Sequence, residues 1–171
     1  DLIARAAEGS VRDGLSLLDQ AIAFAENTIT APQIRDMLGL ADRAEIIDLF
    51  EHLHAGRMPD ALALVRKQYG LGADPLVIVQ DLLAFTHWLT RLKVAPGALS
   101  DLAATEAERE RGKEIAGALG VAELTRTWQI LLKGLDEVLN SPLPLAALEM
   151  AMIRLAFAAD LPVPAELVRD L

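Results

Sequence analysis

DPLVIVQDLLAFTHWLTRLKV, residues 74–94, sets the fold class of this 171-residue chain. Asp74 followed by Pro75 is a strong helix opening, because proline at the first helical position gives up only an N–H that has no partner there. Ile78, Leu82, Phe85, Leu89 and Leu92 then recur at spacings of three and four, the period of one helix face. The spacing predicts a helix to about Val94, ahead of Pro96 and Gly97.

The same period extends outward in both directions. Upstream, Met58, Leu62, Val65 and Tyr69 line a predicted face closed by Gly70. Before it, Ile46, Phe50 and Leu53 follow Asp42, with Glu45 at the third helical position and Gly56 as the break. A short helix is expected from Thr30 to Gly39, with Thr30 and Gln33 in a capping arrangement. Leu15, Leu18, Ile22 and Ala25 share a face behind Ser10, and Asp13 three residues on makes a capping-box-like start.

Downstream, the stretch from Ser100 to about Ala118 is charged and reads as the most exposed helix, with Glu106–Glu110 and Glu110–Glu114 repelling at i,i+4. Leu124, Trp128, Leu131, Leu135 and Val138 make one seam; Leu145, Leu148, Met152 and Leu155 make another. Asn140-Ser141-Pro142 reads as a stop, a cap and a new start. Pro162 and Pro164 prevent a direct continuation after Asp160, and a last turn is expected from Ala165. Gaps this short suit neighbours packed antiparallel. The expected fold is all-α, a multi-helix bundle, with the best internal boundary at Gly39.

Composition agrees. Apolar residues make up 53% of the chain, mostly Ala and Leu, which favour helices over strands. There is no cysteine, which excludes disulfides and thiolate metal sites and suits a reducing cytosol. The formal charge is -9 with no sizeable Lys/Arg cluster, so direct DNA binding by this chain is not expected. No apolar run reaches the ~20 residues that span a bilayer. The chain opens on Asp1 without a leader, so it reads as a piece of a cytoplasmic protein with no membrane segment.

Catalytic machinery is not recognisable. No GxxxxGK[ST] loop occurs, and Gly70-Leu71-Gly72 lacks the spacing and preceding strand of a dinucleotide site. His52 and His54 stand ~200° apart on a helix and cannot face one ion, so a polar helix end beside Gly56 is the better reading. His87, next to Trp88, suits a packed or interfacial position, and Trp88 and Trp128 are core or interface anchors. Arg12 is less ordinary. A cation in the first turn opposes the helix dipole, yet an arginine beside free N–H groups is well placed to meet a phosphate.

Residues 4–23, ARAAEGSVRDGLSLLDQAIA, resemble the lid segment of bacterial DNA polymerase III gamma/tau subunits, in which G-S-x-R-D is the sensor 2 element of AAA+ ATPases. Trp128 to Gly134 and Glu149 to Phe157 resemble the last two long helices of the family's collar domain, in the right order and separation. Gly14 stands where alanine is more often expected, at a cost of ~1 kcal/mol in helix stability.

The resemblance implies residues 1–39 as the end of an AAA+ lid and 40–171 as a helical collar that assembles the clamp loader. Arg12 would be the sensor 2 arginine reaching bound ATP, with Gly9, Ser10 and Asp13 shaping the helix start. The implied partners are other gamma/tau copies and the delta and delta-prime subunits, and some of Trp128, Leu132, Met150 and Arg154 are expected at subunit contacts. For Leu132 and Met150, a place in the domain's own core is an equal alternative. No cofactor is implied for this stretch; ATP and Mg belong to the full subunit, and zinc to an upstream module. The reading from another class is a free-standing helical bundle in which Arg12 and the histidines hold a small anionic ligand.

Overall fold

The computed structural model describes residues 10–24, 43–95 and 106–159, together with positions 3 and 7. Its helices, in chain order, are α1 (Val11–Phe24), α2 (Arg43–His54), α3 (Met58–Gly70), α4 (Pro75–Val94), α5 (Glu106–Ala118), α6 (Val121–Asn140) and α7 (Pro144–Ala159). No strand occurs among the described residues. The expected helix from Thr30 to Gly39, the turn from Ala165 and the boundary at Gly39 lie outside the described residues.

α4 is the centre of the bundle, as its sequence demands. Asp74 caps it by accepting the Leu76 N–H at 2.8 Å, and Pro75 takes the first helical position. Ile78, Val79, Leu82 and Leu89 are fully buried, and Phe85 nearly so. The long helices α6 and α7 complete the core: α6 packs along α4 and α7 along α6, while α2 lies across α4 and α7. Leu124 and Leu131 of α6 and Leu148 and Met152 of α7 have no exposure. Phe50 of α2 meets Phe85 edge-on with ring centres 5.1 Å apart.

Three expectations need correction. In α3 Val65 is buried and Met58 and Leu62 pack partly against the core as expected, but Tyr69 is half exposed, and the other buried residues are Ala61 and Gln68. The face is rotated because Gln68 turns inward, donating from Nε2 to Glu45 at 3.0 Å. That helix ends at Gly70, as expected, and the left-handed turn after it falls on Gly72, at φ 97°. α7 starts at Pro144, two residues later than Pro142, because the Ser141 hydroxyl accepts the Leu143 N–H at 3.0 Å and carries the turn further. His54 is not a polar helix end: its ring packs on Phe50 at 4.4 Å and its Nε2 lies 3.3 Å from the Thr127 hydroxyl.

The charged helix α5 buries only Gly112 and Ala116. Glu123 starts α6 by accepting the Gly120 N–H at 2.6 Å.

Candidate functional site

The start of α1 is built as the sequence suggests, but by half. The Ser10 hydroxyl accepts the Asp13 N–H at 3.3 Å. The Ser10 N–H donates to the Ala7 carbonyl at 2.7 Å, so Asp13 is not needed to satisfy it. Arg12 is exposed, on the first turn of α1, and its carbonyl accepts the Ser16 hydroxyl at 3.1 Å. Gly9 lies outside the described residues. Of the apolar face read from the sequence, Leu15, Leu18 and Ile22 are 58%, 38% and 56% exposed, so its described part is open rather than packed, and Ala25 lies outside the described residues; Val11 on the same helix is exposed too.

The second candidate surface lies on the last two helices. Met150 and Leu132 are about half exposed and do not fill the core. Trp128 is partly buried against it, with its ring centre 6.0 Å from His87. Arg154 is held within the molecule by Glu137, to which Nη1 donates at 2.9 Å and Nη2 donates as well. Those hydrogen bonds hold the Glu137 carboxyl below the usual carboxylate range, against its burial, with further help from the Arg154 and Lys133 charges. The four residues therefore do not form one patch.

Two stripes emerge instead. On α7, Ala146, Met150, Ile153 and Phe157 recur at spacings of four, three and four, and Leu143 precedes them. Phe157 and Leu143 are the most open of these. The opposite face of α7 carries the buried Leu148, Ala151, Met152 and Leu155. Its two charged residues flank the outward stripe, each tied to a neighbouring helix: Glu149 to Arg66 of α3 at 2.7 Å, and Arg154 to Glu137 of α6. A helix apolar all round is normally covered all round. On α6, Val121, Leu132 and Leu139 are also exposed. They stand roughly 140–160° around that helix from Gly134, which faces α7, so this is a separate surface.

Sequence reasoning missed Val121, Leu139, Leu143 and Phe157. The signal was present: α7 carries two complete seams at helical spacing, and a single bundle core needs only one.

His52 and His54 go separate ways. The Nδ1 of His52 accepts from Arg57 at 3.0 Å, whereas His54 faces a recess lined by Glu123, Arg126, Thr127, Ile130 and Leu155. That recess has room of about 10 Å³, the space of one water, and is far too small for an anionic metabolite. Burial pushes the His54 imidazole down to about 4, with the Glu123 carboxylate acting in the opposite direction. Among the described residues no cluster of His, Asp and Glu could hold a metal ion, and no helix is long and apolar enough to cross a membrane.

Residues 1–27 match the family model described as "DNA polymerase III clamp loader subunit, ATPase lid domain", and residues 29–171 match "DNA polymerase III subunits gamma and tau domain III". The chain is 32% identical over 165 residues to the DNA polymerase III subunit tau of Escherichia coli, covering 95% of this chain and 25% of that protein. It is 29% identical over 167 residues to the tau subunit of Bacillus subtilis, covering 95% of this chain and 30% of that one. With the gamma/tau subunit of Mycobacterium tuberculosis H37Rv it shares 34% over 157 residues, 90% of this chain and 27% of that protein. It spans between a quarter and a third of the length of these relatives. The chain belongs to the gamma/tau family of DNA polymerase III clamp-loader subunits.

Proposed function

We propose that this chain is a non-catalytic assembly module of a cytoplasmic bacterial replicative clamp loader. Residues 1–39 act as the end of the ATPase lid, and residues 40–171 act as the collar that holds the subunits together. Its partners are other gamma/tau copies and the delta and delta-prime subunits, in a machine that uses ATP to load the sliding clamp onto DNA.

The observation that carries this reading is the outward apolar stripe of α7, from Leu143 through Met150 to Phe157, opposite a fully used inward face. An apolar stripe of several residues kept open beside satisfied ion pairs suits a protein contact better than solvent. The second stripe, on α6 through Leu132 and Leu139, gives each copy two distinct surfaces, as an assembly of more than two subunits requires. Trp128 and Arg154 border these stripes from partly buried positions. Arg12 is the sensor 2 arginine in this reading: it reaches an ATP phosphate supplied by the rest of the subunit, with Ser10 holding the helix start. An exposed guanidinium on the first turn of α1 is consistent with that role.

Sedimentation velocity tests the proposal, from low to high micromolar, on the chain alone and then mixed with delta and delta-prime. Reversible self-association or a stable mixed complex is expected. A strict monomer that ignores both partners would remove the assembly role from these residues.

A further inference from the structure

We propose that α5 is a releasable strap: it detaches from the bundle while α2, α3, α4, α6 and α7 stay folded, with Gly112 as its seat and Arg111 as its ionic latch. The inference rests on local stability within this chain and is independent of the assembly reading.

Three observations converge. The first is burial. α5 puts only a glycine and an alanine, Gly112 and Ala116, fully inside, with Ile115 and, just past its end, Leu119 partly buried against the core. α4 buries Ile78, Val79, Leu82, Phe85 and Leu89 over its length. Apolar area removed from water sets most of an element's hold on the core, so α5 belongs to the weakly held end of the fold.

The second is intrinsic helicity. Gly112 and Gly117 sit inside α5, where glycine loses more backbone freedom than any other residue. Glu106, Glu110 and Glu114 repeat one sign at i,i+4. The last turn has no basic residue of its own; Lys93 of α4 reaches across and donates to the Ala116 carbonyl at 2.7 Å. The helix is therefore completed by being docked.

The third is the form of the attachment. A methyl added at Gly112 would lie 2.1 Å from Cζ3 and 2.2 Å from Cη2 of Trp88, so the helix backbone rests directly on the indole. Beside this seat the Arg111 guanidinium bridges to Asp48 at 2.7 Å and Glu51 at 3.0 Å, with all three side chains between about a third and a half exposed. An ion pair that open is screened by salt. Release uncovers the benzo edge of Trp88 and frees both carboxylates, while the α4–α6–α7 packing is untouched. The fold thus carries an apolar ledge on α4 that exists only in the open state.

Hydrogen–deuterium exchange read by mass spectrometry, on the whole chain at low and high salt, tests the strap. α5 amides are expected to exchange roughly 100-fold faster than those of α6. Arg111→Gln should speed exchange in α5 alone, by roughly fivefold at low salt, and lessen the rise of that exchange with salt. Gly112→Ala should erase α5 protection while α6 and α7 keep theirs. The strap is overturned if α5 exchanges at the rate of α4 and α6, or if Arg111→Gln raises exchange evenly along the chain. Should Gly112→Ala fail to fold, the comparison of wild type with Arg111→Gln still separates a strap from a uniformly stable bundle.

Discussion

Gly134 of α6 and Ala151 of α7 meet so closely that a methyl placed on Gly134 would stand 2.7 Å from the Ala151 Cβ. That contact sets the separation of the two helices whose outer faces carry the candidate assembly surfaces. Alanine would ordinarily raise helix propensity here by ~1 kcal/mol. In this position overpacking costs ~1–3 kcal/mol and outweighs the gain. Gly134→Ala should lower the thermal midpoint by several degrees, roughly 2–4 °C per kcal/mol in a domain of this size. A raised midpoint in a circular dichroism melt would show that the helices part without cost.

The two outward stripes should be separable from folding. Met150→Glu and Phe157→Glu place charge on side chains that are more than half exposed, so the helical circular dichroism and the melt should stay close to wild type. Association with gamma/tau copies or with delta and delta-prime should weaken by at least about tenfold. Unchanged sedimentation behaviour in both variants would take the α7 stripe out of the interface.

Arg154→Ala distinguishes a structural pair from a contact residue. The Arg154 and Glu137 side chains are 38% and 32% exposed, so the pair contributes at most ~1 kcal/mol to stability. If the variant keeps its stability within that margin and loses assembly, Arg154 serves the interface. Loss of more than ~2 kcal/mol in urea unfolding would instead mark it as part of the fold's own framework.

His54 makes stability depend on pH. Its folded value of about 4 lies below the ordinary 6.5, so at pH 7 the ring is neutral in the folded state and mostly so in the unfolded chain. As pH falls from about 6.5 toward 4, the unfolded chain takes up a proton that the buried ring refuses, and stability drops. The loss is up to ~3 kcal/mol across that window and adds nothing further below it. Urea unfolding at pH 7.5, 5.5 and 4.5 measures it. His54→Gln should flatten this part of the profile, and a slope equal to wild type would place the titration elsewhere.

Asp74→Ala removes the side chain that accepts the Leu76 N–H, at an expected cost of ~1 kcal/mol. Asp74→Asn should recover most of it, because asparagine caps as well as aspartate. Equal losses in the two variants would assign the effect to charge rather than to the cap.

Much of the architecture was legible because it rests on local chemistry. The Asp74-Pro75 opening and the Ile78–Leu82–Phe85–Leu89 stripe specify a helix and its buried face from within about twenty residues, through backbone sterics and side-chain period alone. The Ser10–Asp13 cap and the seams of α6 and α7 are local in the same sense, and the lid and collar blocks pointed to the family. What misled was also local. Tyr69 fits the apolar period of α3, but Gln68 finds Glu45 on another helix and turns inward. His54 sits at a helix end, but that end is roofed by Thr127 and Leu155 from helices far along the chain.

Residue order alone was enough to make this chain helical, to place the start of α4, to assign its family, and to leave α7 apolar on both sides. Which of those sides lies inside was settled only by packing in three dimensions. Burial is a property of pairs of helices: Leu148 and Met152 are enclosed because Gly134 admits α7 at close range, and that choice leaves Met150 and Phe157 facing out. Periodicity can mark a face as apolar, but the packing of its neighbours determines whether anything in the same chain covers it.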